Sequence, residues 1–117
     1  MLRLDHVQLA IPKGSEERCR QVYAALLGMK EVPKPAALAG RGGLWLESGP
    51  VKIHLGVEED FRPALKAHPA IAVHDLDVLA RMLSEAGYEP AWDKAIPEVR
   101  RFYVSDPAGN RIEFMEG

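Results

Sequence analysis

The sequence predicts an α+β fold built from two βαβββ modules, and three observations carry the prediction. The order strand, helix, strand, strand, strand is spelled twice along the chain. A glycine stops each of the two helices, Gly28 in the first half and Gly87 in the second. Each half then closes in a hairpin, around Ser48-Gly49-Pro50 and around Asp106-Pro107-Ala108-Gly109.

The elements follow in order. Residues 2–11 alternate in polarity and are β-prone until Pro12-Lys13-Gly14 breaks them. Ser15 followed by Glu16 and Glu17 starts a helix to about residue 27, with Cys19, Val22, Ala25 and Leu26 on one face. Residues 29–32 read as a short strand and 34–43 as a loop rich in Pro, Ala and Gly. Residues 44–47 and 51–57 read as a hairpin. In the second half, residues 68–73 form a strand, and Asp75 or Asp77 caps a helix to about residue 86. Residues 88–92 form a short strand, and 99–105 with 110–115 form the closing hairpin. The modules span about 1–57 and 67–117, joined by a charged linker over 58–66. Neither half can bury a full core alone, so the two are expected to share one domain.

Composition narrows the function. The chain has 117 residues, enough for one domain, and 47% of them are hydrophobic. With 15 basic and 17 acidic residues the formal charge is −2. A general nucleic-acid binder would carry a basic excess, so that class is set aside. No apolar run approaches the ~20 residues of a membrane span, and the N-terminal segment lacks the apolar core of a signal peptide. A single cysteine, Cys19, allows no internal disulfide and fits a reducing cytoplasm.

Strand parity places the chemistry. Val51, Ile53, Leu55 and Val57 share one face of their strand, and Lys52, His54 and Gly56 share the other. Val7, Leu9 and Ile11 oppose His6, Gln8 and Ala10, and Ile112 and Phe114 oppose Glu113. One face suits packing under helices. The other carries a histidine or carboxylate beside small or polar neighbours, as a lined cavity does. The repeat places His6 over His68 and His54 over Glu113. Three imidazoles and one carboxylate make a divalent transition-metal set. Arg101 and Tyr103 share parity and are candidates to hold an anionic or carbonyl-bearing substrate. Gln8, Trp45 and Trp92 are candidate wall residues. His74, next to Asp75, reads as rim or cap.

The segments LDHVQLAI, VKIHLGV, HPAIAV and DPAGNRIEFME, in paired βαβββ units, resemble the glyoxalase/bleomycin resistance/dioxygenase superfamily, the vicinal oxygen chelate proteins. The resemblance covers essentially the whole chain. It implies a cup-shaped mixed sheet whose first, fourth, fifth and eighth strands hold a metal, the places of His6, His54, His68 and Glu113. It also implies a divalent ion (Zn, Ni, Mn, Fe or Co), a homodimer and a small-molecule substrate, with no nucleic-acid or membrane partner. Two substrate oxygens would chelate the ion, an enediolate or oxyanion would be stabilised, and Glu113 would serve as general base. His54 stands where glyoxalase I typically has a carboxylate. His6, His68 and Glu113 match the His, His, Glu set of fosfomycin-resistance transferases, and ring-cleaving dioxygenases use a similar triad. Lyase, isomerase and dioxygenase chemistries therefore stay open. So does sequestration without catalysis, as in bleomycin-resistance proteins, which share the fold without the ligands.

Overall fold

Leu9 and Ile11, Leu44 and Leu46, and Ile53 and Leu55 alternate along three neighbouring strands, and all six are buried. That apolar face of a sheet needs a cover, and the first helix supplies Cys19, Val22 and Tyr23. The computed structural model describes residues 1–117. The chain divides into two units, Met1–Pro63 and Ala64–Gly117, and each holds one four-stranded mixed sheet.

In the first unit the strands are β1 (Val7–Ile11), β2 (Lys30–Val32), β3 (Leu44–Ser48) and β4 (Val51–Val57), in the order β1-β4-β3-β2. β1 runs parallel to β4, with Gln8 opposite His54, and β3 runs antiparallel to it, with Trp45 opposite His54. In the second unit they are β5 (Ala70–Val73), β6 (Ala91–Asp93), β7 (Arg101–Ser105) and β8 (Arg111–Glu116), in the order β5-β8-β7-β6. β5 runs parallel to β8 with Ala70 opposite Glu113, and β7 antiparallel with Tyr103 opposite Glu113. The two units therefore share topology and register. His54 and Glu113 occupy the same place in the two sheets, and so do Trp45 and Tyr103.

The helix of the first unit departs from the sequence expectation. α1 (Glu16–Cys19) continues as a π-helix over Arg20–Leu26, with the Leu27 N–H donating to the Val22 carbonyl. The wider turn rotates the apolar face. Tyr23 is buried, and Ala25, expected inside, is exposed. Ser15 is buried but does not cap; its hydroxyl donates to the Pro12 carbonyl at 2.6 Å. In the loop before β3, residues Ala36–Arg41 form a 3-10 turn.

The second unit follows the pattern closely. α2 (Leu76–Glu85) buries Leu76, Leu79, Ala80 and Leu83, a stripe at helical spacing. They cover Phe102, Val104, Ile112 and Phe114, which are also buried. Asp75 is its N-cap and accepts from the Val78 N–H at 3.3 Å. The segment Asp106-Pro107-Ala108-Gly109-Asn110 has a structural task. The Asp106 carboxylate accepts from the N–H groups of Ala108 and Asn110 at 2.9 and 2.8 Å. The Asn110 side-chain oxygen accepts from the Ala64 N–H at 2.9 Å and ties the start of this unit to the hairpin. No helix is long and apolar enough to cross a membrane.

Candidate metal centre

A histidine on the open face of a sheet is oriented by its cross-strand neighbours, and His54 has one on each side. The Trp45 ring stacks on it at 3.9 Å, nearly parallel, and the His6 ring stacks at 4.0 Å. Packed between rings, His54 is 6% exposed. Burial, followed by the neighbouring His6, pushes its pKa down, so the ring is held neutral, the form that binds metals. His6 sits just before β1 and is exposed. Its Nδ1 lies 2.9 Å from the Asp5 carboxylate. Because a carboxylate only accepts, Nδ1 carries the proton and Nε2 keeps its lone pair. A carboxylate behind an imidazole in this way is the support that metal-ligating histidines use. The two stacked rings present parallel nitrogens, so ligation of one ion by both requires His6, the exposed ring, to turn.

The second unit brings its pair closer. His68 Nε2 and Glu113 Oε1 are 3.0 Å apart. His68 Nδ1 faces the Lys66 carbonyl at 2.9 Å, again fixing that nitrogen as the donor. Both partners of His68 are acceptors, so a proton must sit between Nε2 and Oε1 when no other cation is there. The other oxygen of Glu113 accepts from Arg101 Nη1 at 3.3 Å. Arg101 Nη2 in turn donates to Asp93 at 2.8 Å. The Ala95 N–H, then Arg101, hold the Asp93 carboxyl below the usual range. Glu113 is 6% exposed, an acid buried on the face opposite Phe114 and Ile112.

Of the residues expected to form the site, the structure gathers His6, His54, Trp45 and Gln8 on one face of the first sheet. It gathers His68, Glu113, Arg101 and Tyr103 on one face of the second. Each unit supplies two candidate ligands, and neither gathers three. Arg101 is engaged by two carboxylates, and its Nε is buried without a partner. Tyr103 lies edge-on to His68 at 5.3 Å and carries the Arg111 guanidinium over its ring at 3.8 Å. Trp92 stands opposite Phe102 and packs against it at 5.2 Å, so it belongs to the face away from Glu113. His74 is exposed beside the cap of α2.

Three supporting groups escaped the sequence reading: Asp5, Asp93 and the Lys66 carbonyl. Asp5 adjoins His6 in the chain. Asp93 becomes legible once β6 and β7 are paired, because it then stands opposite Arg101. The Lys66 carbonyl has no side-chain signal at all.

Among solved structures, a glyoxalase family protein from Bacillus anthracis is 50% identical, covers 100% of this chain and 96% of its own, and superposes with a TM-score of 0.94. An integron cassette protein from the mobile metagenome of V. cholerae is 25% identical over 99% of this chain and 95% of its own, at a TM-score of 0.72. The fosfomycin resistance protein FosX from Listeria monocytogenes shares the fold at 13% identity, covering 100% and 94% of the two chains with a TM-score of 0.77. No family model and no curated protein sequence matches the chain.

Proposed function

We propose, from the premise that this chain belongs to the glyoxalase/bleomycin resistance/dioxygenase superfamily, that it is a divalent-metal-dependent enzyme acting on a small oxygen-bearing metabolite or toxic compound. The proposed ligands are His6, His54, His68 and Glu113. The observation that supports this most directly is the His68–Glu113 pair. Nε2 and Oε1 stand 3.0 Å apart with their outer atoms anchored, so a proton or a cation is needed between them. The donor set, imidazoles and a carboxylate, suits Zn, Ni, Mn, Fe or Co.

When bound, the ion would supply Lewis acidity, gathering two substrate oxygens and stabilising the charge that develops on them. The chain's own groups do the rest. Lys66 and Asp5 hold the tautomers of His68 and His6. Arg101, itself steadied by Asp93, holds Glu113 by Oε2, so that Oε1 would accept a proton when it detaches from the ion. Arg101 thus acts on substrate through Glu113, and Tyr103 lines the same face. Gln8 and Trp45 contact substrate on the His54 side. Exposed Leu2, Leu4, Leu65, Trp92 and Ile96 fit a homodimer burying more than ~1,000 Å².

Metal analysis of purified protein tests this reading together with turnover of a panel of oxo-aldehydes, catechols and epoxide antibiotics. Stoichiometric metal in the parent, lost in His68→Ala and Glu113→Gln, is the expected result. Equal metal content in all three proteins would overturn the ligand assignment. Protection from a compound without its turnover would point instead to sequestration.

A further inference from the structure

The open face of the first sheet holds more than its histidines. Gln8 and Trp45, the residues directly opposite His54 on β1 and β3, also line a cavity of about 210 Å³. Its other walls include Lys34, Leu38, Arg41 and Gly56. The volume is below the ~300–1,000 Å³ of sites for drug-sized ligands, so it suits a small group.

Two cations line this cavity and no carboxylate does. Glu16 stands at the Gly42 edge of the cavity, and Lys34 is among the charges that act on its carboxyl. Its carboxylate accepts from the Gly43 N–H at 2.9 Å, and that bond, ahead of all other influences, keeps it ionised. Lys34 donates to the carbonyl of Gly42, which also lines the cavity, and keeps two further N–H groups. Arg41 ends the 3-10 turn and pairs with no acid, whereas Arg20, Arg100 and Arg101 are each bound to carboxylates. Gly56 makes room: a Cβ there would stand 2.8 Å from Gln8 Nε2, in the space the amide needs to reach the cavity.

We propose that this cavity is an anion subsite, in which Lys34 and Arg41 take the carboxylate or phosphoryl-type group of a small substrate while Trp45 and Leu38 flank its carbon skeleton. The inference deepens the function proposed above and rests on it only for which end of the substrate reacts. An anion seated here lies beside His54, so the reacting oxygens of the same molecule reach the metal face without a long linker. Guanidinium and ammonium together match a charged head group through charge-assisted hydrogen bonds, and Gln8 adds a neutral donor.

The test uses the full chain carrying Trp92→Phe, so that Trp45 is the sole fluorescent tryptophan. The protein is titrated with acetate, inorganic phosphate and neutral acetamide, first with metal present and then after chelation. Acetate or phosphate should change the emission in a saturable, salt-sensitive way, and acetamide should not. Tighter binding of phosphate or of acetate identifies the head group. Arg41→Met and Lys34→Met should each weaken binding roughly tenfold or more, and Arg41→Lys should recover part of the loss. Circular dichroism establishes that the variants are folded. Binding that survives chelation supports the subsite even if the metal reading fails. Normal metal content in Arg41→Met, with anion binding lost, separates the two sites. Equal responses to acetamide and acetate, or unchanged anion binding when Arg41→Met and Lys34→Met are combined, would overturn the proposal.

Discussion

Gly43→Ala isolates one structural requirement of the loop that borders the cavity. Gly43 has φ +83°, a region where a side chain costs about 1–2 kcal/mol. An added Cβ would overlap the Leu55 carbonyl oxygen and stand 3.2 Å from its carbon. Backbone cannot swing aside as a side-chain tip can, so the loop must move away from β4, at about 1–3 kcal/mol. Moving it stretches the 2.9 Å bond from the Gly43 N–H to Glu16, a charge-assisted bond worth about 1.5–3 kcal/mol. The three together come to about 3.5–8 kcal/mol, or a melting temperature lower by roughly 15–30 °C. Gly49→Ala is the matched control. Its φ of +55° is also left-handed, but nothing lies within 4 Å of its added Cβ, so only the conformational cost of about 1–2 kcal/mol applies. Urea denaturation of both variants, followed by circular dichroism, measures the difference. If Gly43→Ala falls within about 1 kcal/mol of Gly49→Ala, the close approach of the loop to Leu55 is refuted.

Three further outcomes follow from the same contacts. The Glu16 carboxyl is depressed by the Gly43 N–H, so its contribution to stability is present above the ordinary glutamate pKa of about 4.3 and fades as pH falls through the lower folded value; the stability gap between parent and Glu16→Gln should therefore close on acidification, and a gap that widens contradicts the bond. Glu113→Gln should lose about 1–3 kcal/mol in chemical denaturation, because the charge paired with His68 and Arg101 is buried, and metal affinity should drop tenfold or more in a titration; stability unchanged within about 0.5 kcal/mol would mean that the pairs contribute nothing. Asn110→Ala leaves the Ala64 N–H without its 2.9 Å acceptor and should cost about 1–3 kcal/mol by thermal melt, with faster amide exchange at Ala64; an unaffected exchange rate there would refute that anchor.

Strand parity puts the Glu113 side chain on the face that suits a polar cavity. Parity was right about the face and silent about the neighbours. Arg101 and His68 are 12 and 45 residues away in sequence, and their bonds close Glu113 off from water. Parity likewise put Arg101 and Tyr103 on one face, but only the β6–β7 pairing shows Asp93 opposite Arg101 and turns a candidate substrate anchor into a support for Glu113.

Sequence alone determined the two βαβββ units, the glycine stops and the apolar stripes, because these depend on periods of two and 3.6 residues that local geometry enforces. It also determined the matched places of His54 and Glu113, because a repeat carries register with it. Tertiary structure decided three things that no period encodes. The first helix widens into a π-helix and buries Tyr23 in place of Ala25. Trp92 packs on Phe102, since a three-residue edge strand is too short for its register to be read from alternation. The loop of residues 36–43, featureless in sequence, folds back on Leu55 through a Gly43 that has no Cβ to prevent it. That approach, a contact between residues 12 apart whose only sequence trace is a missing side chain, is what sets Lys34 and Arg41 around a cavity beside His54.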